Sequence, residues 1–261
     1  MNIVQRNLFS ILRAGAFNDR TLPPEPMSAY KWQTLFEIVS TQNLIAPFAI
    51  GISQFDNNKQ TNLPDSLKEI ISQSPTPSHP KTEKTITLAN PFLNRKLHKI
   101  IDNERHSIDT SVETLKALRI IIDNLKAMLN SGVNIGTLIE LGQYLRTGGH
   151  KIDFLKLERW IATLHLQSAA QFQGNILIEF FGFEPDELPF VSRTDPKVSR
   201  IIIRKLNHLQ KLVASHSPLK TNSRLIRRNF KHAPTYLRYA PLETTSNLLY
   251  NIFHFISDIE E

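Results

Sequence analysis

The residues of this chain best placed to do chemistry lie in one cationic run. Lys197, Arg200, Arg204, His208 and Lys211 recur at steps of three and four, so a helix sets them along one side. Val198, Ile201, Ile202, Leu209, Leu212 and Val213 take the other side. Arg224, Arg227, Arg228 and Lys231 form a second cluster, interleaved with Phe230, Tyr236 and Tyr239. Guanidinium and ammonium groups on such a stripe neutralise phosphates, and aromatic rings beside them stack bases. The pattern also suits an anionic membrane surface, a glycan phosphate or an acidic protein. The plainest account is a solvated polar face, which every amphipathic helix needs. Between Val191 and Ala240 there are twelve Lys/Arg and one acid, Asp195, a segment of about +11. The whole chain carries +7, so the remainder sums to about −4. This segregation says more about partners than the overall pI does.

Catalytic candidates are sparse. The nine histidines are scattered, and none belongs to a His-Glu-x-x-His pair. His98 and His106 flank Asp102 and Glu104, a conceivable metal cluster, but exposed polar residues on a helix face account for them more simply. His150 and His165 read as cap or loop residues, and Asp186-Glu187 as a solvated pair in a Pro-bounded loop. Neither a phosphate-cradling glycine loop nor a nucleophile elbow occurs. No catalytic residue, metal or cofactor is therefore expected. The absence of cysteine excludes disulfides and thiolate zinc.

The elements that would position these residues are helical throughout. The apolar fraction is 41% and the charged fraction 21%, ordinary for a globular chain. Ile3–Phe17 reads as a first helix, with Gly15 near its end. Ser28 caps a second, with Trp32, Leu35, Phe36 and Val39 on one face; a third follows Pro47, and Pro64 opens another through Ile71. Residues 72–89, rich in Pro and Ser, read as a linker or surface loop with too little to bury. Pro91–His106 is helical, and Thr110 with Glu113 forms a capping box ahead of an apolar stripe at Leu115, Leu118, Ile122, Leu125 and Leu129. Asn134, Asp153 and Ser168 start further helices; Trp160 points inward in one, and Gly182 stops the last. Asn175–Phe181 is apolar enough for a buried strand as the minority reading. The class is all-α, an irregular array of about nine to eleven helices in antiparallel packing. Its regions are 1–71, the 72–89 segment, and 90–261 with the basic part at 191–240. No run approaches the roughly 18 apolar residues of a membrane helix. A secretory signal is not seen, and the cytoplasm is the expected location.

Several of these stretches carry a family likeness. Leu8-Phe9-Ser10-Ile11-Leu12-Arg13-Ala14-Gly15, Trp32-Gln33-Thr34-Leu35-Phe36 and Leu44-Ile45-Ala46-Pro47-Phe48 lie upstream of the linker. Asn90-Pro91-Phe92-Leu93-Asn94-Arg95-Lys96-Leu97, Ile152-Asp153-Phe154 and Leu157-Glu158-Arg159-Trp160 lie downstream. Both halves resemble the helical flanks of a nucleotidyltransferase family found beside bacterial surface-polysaccharide genes. The likeness covers Leu8–Ile71 and Asn90–Phe190 and weakens towards Pro241. In that family a strand-bearing core between the flanks carries a Gly-Gly or Gly-Ser turn, an Asp-x-Asp pair and a further Asp, which hold divalent metal on a triphosphate. This chain has no Asp-x-Asp. Gly148-Gly149 precedes Asp153 at the wrong spacing, and Asp258-Ile259-Glu260 sits in what reads as a frayed tail. The resemblance therefore implies a framework without its catalytic core, a non-catalytic protein acting by binding or assembly. The alternative is a binder of anionic polymer, nucleic acid or phosphorylated glycan, through residues 197–231. A homo-oligomer or an acidic protein partner fits the first reading, with Trp32, Phe36 and Phe48 as contact candidates, although core burial is the simpler account of each.

Overall fold

The computed structural model describes residues 1–55, 62–65, 67, 69, 85–106, 111–214 and 234–260. Among them the fold is all-α. Ten helices have described bounds: α1 (Ile3–Phe17), α2 (Ala29–Thr41), α3 (Ile45–Phe55), α4 (Pro91–Arg105), α5 (Val112–Ser131), α6 (Ile135–Gly148), α7 (Phe154–Thr163), α8 (Gln167–Phe181), α9 (Lys197–Ala214) and α10 (Pro241–Glu260). Short 3₁₀ turns occupy Gly149–Lys151 and Pro185–Glu187. No described residue forms a strand, so Asn175–Phe181 is helix, as its place inside α8 requires. No helix among the described residues is long and apolar enough to cross a membrane.

The chain divides into two compact units, each discontinuous in sequence. The first comprises Met1–Thr82, Ile176–Glu184 and Pro196–Pro218. Its α1 begins in a reciprocal cap: Asn2 Oδ1 accepts from the Gln5 N–H, and Gln5 Oε1 accepts from the Asn2 N–H. Leu8, Ile11 and Leu12 of α1 and Trp32, Leu35, Ile38 and Val39 of α2 are fully buried, whereas Phe36 is only half-buried. Phe9 stacks on Phe180 with ring centroids 4.5 Å apart, and Phe17 meets Phe181 and Phe183 edge-on. Gly15 does not stop α1. It lies against the backbone of Pro47 and Gly51, so that α1 and α3 cross in close contact.

The second unit comprises Glu83–Asn175, Pro185–Asp195 and Leu219–Glu261. α5 packs on α6 and α7 through a stripe that includes Leu118, Ile121, Ile122 and Leu125; Leu115 is half-buried at its edge. The α5 N-cap is Ser111, and its hydroxyl bonds Thr114. Thr110 lies outside the described residues. The Glu113 carboxylate takes bonds from Tyr144 and Lys116, stronger partners than a free backbone amide. Asn134 and Asp153 cap α6 and α7 as read from sequence, while Trp160 is half-buried beneath the Lys156 ammonium. Glu104 is buried, accepts the Ser111 N–H and pairs with Lys156 at 2.9 Å, so its charge is matched where it is hidden. Of the 72–89 segment, residues 72–84 lie outside the description. The remainder is packed: Ile86 and Leu88 are buried, and the Ala89 and Asn90 amides bond Glu243. The C-terminal stretch is helical to Glu260, not frayed.

A candidate anion-binding face

α9 is built to show its cations. Val198, Ile202 and Leu206 are buried at four-residue steps, and the helix packs on α2. Leu206 was absent from the sequence-level apolar face; it belongs to the buried ridge, whereas Leu209 and Leu212 are half-buried. The helix is held in rotation by amide pairs. Gln5, itself buried, donates through Nε2 to Asn207 Oδ1 at 2.8 Å, and Asn2 donates to Gln210 Oε1 at 2.9 Å. Sequence reasoning missed this clamp because its members lie some two hundred positions apart and carry no charge.

With that rotation fixed, Lys197, Arg200, Arg204, His208 and Lys211 are all exposed. On a helical wheel they occupy an arc of roughly 80° diametrically opposite the buried ridge, over about 21 Å of helix. Neither α1 nor α9 contains an acid. The α1 arginines are neutralised, Arg6 by Glu25 at 2.6 Å and Arg13 by Asp19. The Asp19 carboxyl is held below its ordinary range: burial pushes it up, but bonds from Thr21 and Arg13 prevail. By contrast, Arg200, Arg204 and Lys211 have no ion-pair or hydrogen-bond partner among the described residues. Three uncompensated charges along one side of a helix are a standing attraction for phosphate.

The remaining candidates fare differently. Arg224, Arg227, Arg228, Lys231 and Phe230 lie outside the described residues. Tyr236 and Tyr239 are core residues and not stacking platforms. Tyr236 Oη accepts the Val133 N–H at 3.1 Å; Tyr239 Oη donates to Asp195 at 3.0 Å and its ring meets Phe172. Burial pushes both hydroxyls up to about 12. His98, Asp102 and His106 are exposed along α4, while Glu104 turns inward to Lys156, and no group of three His, Asp or Glu able to hold a metal gathers among the described residues. Glu187 is not merely solvated, since Arg146 binds it at 3.0 Å. His165 sits in a left-handed turn, 3.5 Å from the Lys96 ammonium. Compared with family models, curated proteins and solved structures, the chain matches none.

Proposed function

We propose that this chain acts by binding, as a non-catalytic helical framework of nucleotidyltransferase-like type, and that its α9 face engages a polymer with a phosphodiester backbone. The supporting observation is the trio Arg200, Arg204 and Lys211, exposed, in line and without counter-charge among the described residues. Arg200 and Arg204 lie about 6 Å apart along the helix and Lys211 about 10 Å further on, so each can meet its own phosphate on an extended strand. Among the described residues the α9 face offers no stacking ring, because Tyr236 and Tyr239 are buried. Affinity through it is electrostatic and indifferent to base identity.

The test is binding of a labelled single-stranded oligonucleotide and of a glycerol-phosphate polymer across a salt series. The three α9 cations Arg200, Arg204 and Lys211 give a log–log slope of about −2 on a single strand. The double charge reversal Arg204→Glu/Lys211→Glu reduces affinity at least tenfold at low salt, with the helical circular-dichroism signal unchanged. Preference for one polymer identifies the source of the phosphate. Binding that ignores salt or the double variant, or no binding to either polymer, overturns the proposal.

A further inference from the structure

α10 is amphipathic in the inverted sense. Towards its own unit it turns polar residues: Glu243 and Thr244 are 1% and 2% exposed, and Asn247 bonds Asn130. Glu243 is well used, accepting the Ala89 and Asn90 amides, both at 2.9 Å. Thr244 Oγ1 and Asn251 Nδ2, however, are buried without a hydrogen-bond partner among the described residues. The opposite face is apolar and in solvent, with Leu242, Leu249 and Phe253 exposed by 44%, 54% and 69%. With Ser246 these positions follow steps of four, three and four, which is the seam of a coiled coil, and the sequence continues the register at Ile256. Phe92, 77% exposed, lies two residues after Asn90, whose side chain donates to Ser246 Oγ at 3.0 Å.

The geometry points to a second copy of this chain as the occupant, its α10 packed antiparallel along this seam. Area supports it. Leu242, Leu249, Phe253 and Phe92 expose on the order of 450 Å² of apolar surface, more than a scattered surface residue explains. One side of a homodimer interface covers about 800 Å², of which roughly 65% is apolar, so the patch nearly supplies one side. Charge chooses the direction. The seam itself is uncharged, and α10 has no Lys or Arg but carries Asp258 and Glu260 in its last turn. Parallel packing brings two acidic ends together. Antiparallel packing sets each beside the partner's helix N-terminus, which favours negative charge.

The seam from Leu242 to Phe253 is centred between Ser246 and Leu249, so in an antiparallel pair Leu249 lies within about 5 Å of its own copy along the axis while Leu242 lies about 17 Å from its own. The chain lacks cysteine, so a single introduced cysteine is crosslinked cleanly. A short bismaleimide joins Leu249→Cys into dimers and leaves Leu242→Cys monomeric. In sedimentation velocity the wild type dimerises reversibly, and Leu249→Glu/Phe253→Glu weakens dimerisation at least tenfold while its thermal midpoint stays within a few degrees. A wild type that remains monomeric from micromolar to submillimolar concentration overturns the inference. So does crosslinking of Leu242→Cys, which means parallel packing. A double variant that fails to fold overturns it too, because the face then lies inside the monomer.

Discussion

Gly182 and Arg13 show how single residues take on roles that neither has alone. Gly182 ends α8 with φ +67°, a conformation side chains resist. A Cβ there would also lie 2.3 Å from Arg13 Nη2 and 3.1 Å from Asp19 Oδ2. The helix stop was legible in the sequence; the second reason for glycine, room for an ion pair, was not, because Arg13 is remote along the chain. Gly182→Ala is expected to lower stability by about 1–3 kcal/mol, combining left-handed strain with displacement of the pair. Urea unfolding with an unchanged m-value measures it. A variant as stable as the wild type would show that Arg13 and Asp19 re-pair elsewhere without cost. Glu113 carries the same lesson: its sequence position suggests a capping box, yet Tyr144 and Lys116 draw its carboxylate below the ordinary range.

Among elements, α1 and α3 are joined most closely. An added Cβ on Gly51 would meet Ile11 O at 2.0 Å, and one on Gly15 would meet Pro47 O at 1.8 Å. The obstructing atoms are backbone, so neither helix yields without separating from the other. In an isolated helix Gly→Ala stabilises by about 1 kcal/mol. Here Gly51→Ala should destabilise by roughly 3–5 kcal/mol, the sign being set by packing. Thermal or urea unfolding decides, and a gain in stability would refute the close crossing. Most helices were readable from periodicity and caps, α6 and α7 down to the capping side chains of Asn134 and Asp153. α10 is not legible as a helix in the sequence, because Leu248-Leu249-Tyr250 and Ile252-Phe253 put apolar residues on nearly every side.

For the molecule as a whole, opposite physics governs the two proposed surfaces. The segment 191–240 holds about +11 of charge, whereas the α10 seam is neutral. Raising salt from about 50 to 500 mM screens the first and spares or strengthens the second. Sedimentation with labelled oligonucleotide should therefore show polymer released while the dimer persists. Dimer and polymer lost together would mean that polymer bridges the copies.

Helical class, the positions of most helices, the cationic stripe of α9 and the lack of an Asp-x-Asp motif all follow from local spacing, which one strand of text records in full. Tertiary structure alone decided which side of α9 faces water, through Gln5 and Asn207. It also placed Tyr236 and Tyr239 in the core and Trp32 and Phe48 beyond reach of any partner, and it left Leu249 and Phe253 outside. Burial is a property of what packs against a residue, and those neighbours are distant along the chain.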